Sequence, residues 1–277
     1  GLVEEAGAGA AFARGDRVLI PAVFTCGSCD MCRGGRENIC KNMTMLGNHI
    51  DGAFAQYVRV PAKDLVRLPA EVPLEEGAII ADAVSTPYHA LKNRANLRAG
   101  DTIVVYGCGG VGMNLVQLAS VMGGIVIAVD LQPKKLELAK SFGAWQTVDA
   151  SKVADVGKEV RRLTGGGADI AVEAIGNPKT MEGAFNCLRG GGRLIVLGYC
   201  DAVLPLPAGR IMFREMEVMG SLGCRPVDYP RIVELARTGK IRLKELVTQR
   251  FGLSEIGKAF DLMRASDSGA LRSIVIP

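Results

Sequence analysis

The chain has 277 residues and a mass of 29.3 kDa, with 48% hydrophobic and 22% charged residues. That composition excludes disordered and collagen-like chains, and the length suggests two domains at roughly 150 residues each. Thirty-three Lys and Arg are spread against 29 Asp and Glu, with a single Trp, so no basic field or aromatic stacking platform is available for nucleic acid.

In chain order, the first eighty or so residues alternate short apolar runs with Gly and Pro. Gly15-Asp16-Arg17-Val18-Leu19-Ile20-Pro21 and Ala53-Phe54-Ala55-Gln56-Tyr57-Val58 are the examples, and the texture predicts a β-rich segment. Within it Cys26, Cys29, Cys32 and Cys40 are spaced C-x2-C-x2-C-x7-C, among Gly27, Gly34 and Gly35. Four thiolates close a tetrahedral zinc shell with no open position, so such a metal is structural. A disulfide pair, an iron–sulfur cluster and unrelated thiols are the alternatives. His49 and His89, the only histidines, read as a loop residue and a packed helix residue.

From residue 102 the texture changes. Residues 102–129 carry no charge and are long enough to span a bilayer, but six glycines with Asn114, Gln117 and Ser120 interrupt them, and the segment reads as a buried βαβ unit. Strands are expected near 103–106, 125–129, 147–148, 170–172, 194–197 and 218–219. Helices are expected over 111–122, 134–142, 153–163 and 179–188, with Pro133 and Pro178 near two helix starts. Six strands with crossovers imply a doubly wound parallel sheet of the α/β class. A helix over 229–237 and a strand over 271–276 follow. No repeat, basic leader or membrane span is predicted. Four clustered and four scattered cysteines (Cys108, Cys187, Cys200, Cys224) suit a reducing cytoplasm.

Gly107-Cys108-Gly109-Gly110-Val111-Gly112 follows the first of these strands and opens a helix, the context in which G-x-G-x-x-G signals dinucleotide binding. The first glycine permits the turn, the second lets backbone approach a pyrophosphate, and the third lets helix and strand pack closely. Asp130 stands at the end of the next strand, where a carboxylate accepts ribose hydroxyls. Its charge opposes a 2′-phosphate, and Leu131 and Gln132 supply no neutralising Arg, so NAD is expected over NADP.

Together, the Gly15 to Val18 turn, the four-cysteine lobe, Asp51-Gly52-Ala53-Phe54-Ala55-Gln56-Tyr57, the glycine fingerprint with Asp130, and Arg272 resemble the zinc-dependent alcohol dehydrogenases of the medium-chain dehydrogenase superfamily. The resemblance covers essentially the whole chain. It implies a Rossmann domain over 83–222 inserted in a β-rich, GroES-like catalytic domain made of 1–82, with a zinc lobe at about 24–42, and a C-terminal return over 223–277. It implies NAD and zinc as cofactors, a small alcohol or carbonyl substrate, and a homodimer or homotetramer assembled through an edge strand around 217–221. Thr86 resembles the hydroxyl residue beside the nicotinamide, Lys135 the basic residue near the adenosine ribose, and Arg272 the pyrophosphate-binding arginine. Ile175, Leu197 and Gly198 resemble backbone that lines the nicotinamide pocket. Asp82 falls at the third ligand of the catalytic zinc, with a helix N-cap as its other reading. The family's two earlier ligands have no counterpart, and the chain is expected to start just after them.

Three further readings stay open: an NAD-binding relative without catalysis, a zinc-free quinone reductase, against which the cysteine lobe argues, and a dehydrogenase of alicyclic hydroxyacyl-CoA thioesters. The last resembles this chain in Ala81-Asp82-Ala83-Val84-Ser85-Thr86-Pro87-Tyr88 and Gly223-Cys224-Arg225-Pro226.

Overall fold

A computed structural model describes residues 1–265 and 269–277. The chain forms two compact units, one of residues 86–222 and the other of residues 1–85 with 223–277.

The continuous unit is built on six strands: β1 Thr102–Tyr106, β2 Ile125–Asp130, β3 Gln146–Asp149, β4 Ala168–Glu173, β5 Leu188–Val196 and β6 Glu217–Gly220. Every pairing is parallel, in the order β3-β2-β1-β4-β5-β6. Strands covered on both faces must be apolar throughout, and Ile103, Val104, Val105, Ile127, Ile170, Val172, Leu194 and Ile195 are fully buried. The crossovers are helices α1 Gly110–Val121, α2 Pro133–Ser141, α3 Val156–Thr164 and α4 Pro178–Asn186, with α5 Ala208–Phe213 before β6. Pro133 and Pro178 occupy first-turn positions, where a missing N–H costs nothing. The third helix starts at Val156 rather than 153 because the Asp155 side chain accepts from the Lys158 N–H and caps it there. The strand order reverses between β1 and β4, the point at which open α/β sheets bind ligands outside their strand ends.

The other unit has less strand than its apolar runs predict. Val18–Leu19 pairs with Val66–Arg67 and Val23–Phe24 with Thr44–Met45, two residues on each strand. Residues 53–58 form no strand: Phe54 and Tyr57 are 61% and 73% exposed. Alternation becomes a strand only where a ladder partner and a buried face exist. The later residues of this unit supply helices Tyr229–Arg237 and Ile256–Arg264 and a parallel pair, Val247–Gly252 with Arg272–Ile276.

Asp82 is not a helix N-cap. It lies inside a helical run, on a π-helical turn Ile80–Val84 between Leu74–Ile79 and Ser85–His89. The extra residue of a π turn disturbs the usual i→i−4 ladder, and the Ala81 carbonyl accepts from Ser85 Oγ at 3.0 Å and from the buried Tyr229 hydroxyl at 2.8 Å.

Candidate cofactor site and cysteine lobe

The glycine loop runs from the end of β1 into α1. Gly107 has φ +90°, and a Cβ there would stand 2.5 Å from the Ile175 side chain. A Cβ on Gly112 would lie 1.7 Å from the Gly107 carbonyl oxygen, so helix and strand approach as closely as glycine allows. Gly109 differs: its φ is −74° and a Cβ would meet nothing within 4 Å. Neither strain nor packing within the protein demands glycine at 109. The open space beside it lies at the N-terminus of a twelve-residue helix, the place where backbone N–H groups and the helix dipole receive a phosphate. The loop therefore fits a dinucleotide's pyrophosphate.

Asp130, at the end of β2, faces this loop. Its Oδ2 accepts the Cys108 N–H at 2.7 Å and its Oδ1 the Gln132 N–H at 2.9 Å. A carboxylate has about four acceptor positions, so the side chain fixes the loop and keeps acceptor capacity for ribose hydroxyls. Burial, reinforced by the Asp130 charge, pushes the Cys108 thiol up to about 12. Lys135 is half-buried in the first turn of α2 and acts electrostatically on the same thiol.

Beyond the switch point, Ile175 and Gly176 leave β4 while Leu197 and Gly198 leave β5. Gly176 has φ +85°, and a Cβ on Gly198 would lie 2.1 Å from the Gly176 nitrogen. The Leu197 and Gly198 N–H groups both donate to the Glu173 carbonyl, at 3.0 and 2.9 Å. Glu173 itself, fully buried, escaped the sequence reading. Its signal was a carboxylate closing the apolar run Ile170-Ala171-Val172.

The four lobe cysteines meet. Neighbouring sulfurs stand 3.5 Å apart for Cys29–Cys32 and Cys26–Cys40, and 3.9 Å for Cys26–Cys32 and Cys29–Cys40. Zinc–sulfur bonds of about 2.3 Å in a tetrahedron require edges of about 3.8 Å, whereas a disulfide requires about 2.05 Å. All eight cysteines are free thiols. The four sulfurs lie within 4.8 Å of one another, which suits one ion better than a cluster whose thiolates are divided among several irons. The Ser28 N–H and hydroxyl, with the Cys29 N–H, hold the Cys26 thiol down at about 5, while burial pushes Cys32 up to about 12.

Among the described residues, this is the only group of three or more His, Cys, Asp or Glu placed to share an ion. Asp82, exposed on its π turn, shares with Arg272 a cleft of about 1470 Å³ in the split unit of residues 1–85 with 223–277. Burial lowers the Arg272 pKa and Asp82 opposes the shift, and Arg272 Nε is buried without a hydrogen-bond partner. No second and third metal donor joins Asp82 among the described residues, so these residues do not by themselves fit a catalytic zinc. His49 is an exposed loop residue whose Nδ1 accepts the Met45 N–H, and His89 is buried beside Asn93. Thr86, half-buried, follows on the helix Ser85–His89.

Two family models match, the alcohol dehydrogenase GroES-like domain over residues 1–70 and the zinc-binding dehydrogenase over 110–238. An alcohol dehydrogenase of Geobacillus stearothermophilus is 33% identical over 265 residues, covering 95% of this chain and 77% of that protein. The chain belongs to the zinc-dependent alcohol dehydrogenase family. Among solved structures, one called an NAD-dependent alcohol dehydrogenase superposes with a TM-score of 0.91 at 30% identity, covering 100% of this chain and 80% of the other. A zinc-binding dehydrogenase from Sinorhizobium meliloti 1021, bound to NADP, gives 0.91 at 31%, covering 100% and 81%. Family membership makes the chain an oxidoreductase of the alcohol dehydrogenase type with a nicotinamide and zinc as cofactors, and the cysteine lobe has a geometry that fits a structural zinc.

Proposed function

We propose that the protein is an NAD-dependent dehydrogenase that moves hydride between a small primary or secondary alcohol and the nicotinamide. The observation that carries this is the junction of the glycine loop with Asp130, a phosphate cradle clamped to an acidic ribose acceptor. When bound, the nicotinamide supplies the chemistry by accepting the alcohol's carbon-bound hydride, and the reverse reaction reduces a carbonyl.

The chain's own residues bind and orient. Loop N–H groups at the start of α1 receive the pyrophosphate, and Gly109 leaves room for it. Asp130 accepts the adenosine ribose hydroxyls and repels a 2′-phosphate, while Lys135 lies close by. Thr86 and the backbone at Ile175, Leu197 and Gly198 are proposed to line the nicotinamide, and Arg272 to pair with the pyrophosphate. Aligning donor carbon and ring is the main gain that such positioning supplies. Cys26, Cys29, Cys32 and Cys40 hold a structural zinc. Asp82 is proposed as a metal ligand that needs donors beyond those gathered around it here.

One solved relative is bound to NADP and another is called NAD-dependent, so the NAD assignment for this chain rests on Asp130. Titration of the purified chain with NADH and NADPH tests the reading: NADH binding at least about tenfold tighter is expected, and equal affinities would overturn the NAD assignment. Turnover over a panel of small alcohols, followed by reduced-nicotinamide absorbance, tests the dehydrogenase itself. Nicotinamide binding without turnover would support the alternative, a cofactor binder without catalysis. A homodimer or homotetramer through the β6 edge, where Val218 is 40% exposed, is proposed with cytoplasmic residence. No helix among the described residues is long and apolar enough to cross a membrane.

A further inference from the structure

Glu173 closes β4 at the switch point of the sheet, with its side chain fully buried. Both carboxylate oxygens serve the loop that follows. Oε1 accepts the Ile175 N–H at 3.1 Å and the Gly176 N–H at 3.0 Å, and Oε2 lies 3.1 Å from the same Gly176 nitrogen. The Thr180 hydroxyl lies 2.6 Å from Oε1 and 2.9 Å from the Asn177 carbonyl. The shorter contact has the length of an O–H···O⁻ bond, and none of the donors around the carboxylate carries a charge. A Cβ at Gly198 would come 2.7 Å from Oε2, so the loop leaving β5 presses on the same carboxylate.

In a sheet of this order the two halves of a dinucleotide lie on either side of the switch point. Asp130 on β2 marks the adenosine side, which leaves the ends of β4 and β5 to the nicotinamide. Reduction changes that ring from a cation to a neutral group. A desolvated carboxylate on that side of the sheet would discriminate between the two forms, because charge interactions strengthen away from water.

We propose that Glu173 is an electrostatic positioning residue of the nicotinamide half-site: it shapes the β4 and β5 exit loops, and its buried charge favours binding of the oxidised over the reduced cofactor. This rests on the nicotinamide reading above. A structural role alone alters both affinities alike, whereas the charge alters their ratio.

The test is the pair of dissociation constants for NAD+ and NADH, measured by calorimetry on the 277-residue protein and on Glu173→Gln. The variant is expected to bind NAD+ about tenfold more weakly while NADH affinity stays within about twofold. Equal losses for both forms, or no change in either, overturn the proposal while leaving the nicotinamide reading intact. Failure of the unaltered protein to bind either form overturns both. Glu173→Asp keeps the charge with a shorter reach and is the check if Glu173→Gln does not fold. Its NAD+ to NADH affinity ratio is expected within about twofold of the unaltered protein's, and a larger shift overturns the proposal.

Discussion

Asp130 Oδ2 accepts the Cys108 N–H at 2.7 Å, across 22 residues of chain. One carboxylate thus clamps the glycine loop from the neighbouring strand, so the proposed ribose recognition is coupled to the shape of that loop. Hydrogen bonds to charged groups contribute roughly 1.5–3 kcal/mol each. Asp130→Ala is expected to lower NADH affinity by about tenfold or more and to lower the melting temperature of the cofactor-free protein. Fluorescence titration and calorimetry measure the two effects. A normal melting temperature would show that the clamp is not needed to hold the loop.

Two glycines of one loop are expected to respond oppositely. In Gly112→Ala the new methyl meets the Gly107 carbonyl oxygen at 1.7 Å, a clash that only backbone movement relieves, and loss of several kcal/mol or of soluble protein follows. In Gly109→Ala the methyl enters open space at an ordinary φ. Stability is expected to stay within about 0.5 kcal/mol while NADH binding weakens. Urea unfolding alongside NADH titration separates the cases, and unchanged NADH affinity in Gly109→Ala would remove the pyrophosphate from this loop.

The cysteine lobe is expected to hold about one zinc per chain, and Cys32→Ser or chelation to lower the melting temperature. In the metal-free lobe the Cys26 thiol is held down at about 5 against an ordinary value of 9.0. A lowered acid pKa contributes stability that is complete above the ordinary value and is lost as pH falls towards the lowered one, so this group's contribution declines between pH 9 and 5. At neutral pH the Cys26 thiolate is expected to be alkylated ahead of Cys108 and Cys187, both buried and raised to about 12. Mass-spectrometric mapping after brief iodoacetamide treatment reads the order directly.

Tyr229→Phe removes one of two donors to the Ala81 carbonyl and Ser85→Ala removes the other. Each is expected to cost about 1 kcal/mol. The double variant is expected to cost more than their sum, because the carbonyl then loses both side-chain donors. A double-mutant cycle in urea measures the excess, and strict additivity would show that the two hydroxyls do not share this carbonyl.

The continuous unit was legible because its physics is local. Apolar runs such as 103–106 and 125–129 are strands buried on both faces, Pro133 and Pro178 mark helix starts, and the glycine spacing announces the loop. The cysteine spacing was legible for the same reason, since one loop brings all four sulfurs together. The other unit depends on distant partners. Whether 53–58 forms a ladder is decided elsewhere in the chain, and the sequence shows only its alternation. The π turn that carries Asp82 was not legible because a π turn has no composition of its own, and its stabilising donor, Tyr229, comes from 148 residues away. Glu173 drew no notice in the sequence; its importance lies in the N–H groups that the chain folds back towards it.

The division of the chain into residues 86–222 and the split unit 1–85 with 223–277 sets an order of events at the ribosome. The nucleotide-fold segment is continuous, and all its strand partners have been synthesised once Gly220 is made. The surrounding unit must wait, since the strand Val247–Gly252 gains its partner only with Arg272–Ile276. Domains fold as units during synthesis, so the early half of the split unit stays exposed while more than a hundred residues are added. Its cysteine lobe, closed entirely within residues 26–40, is the part of that half able to lock with metal during the wait.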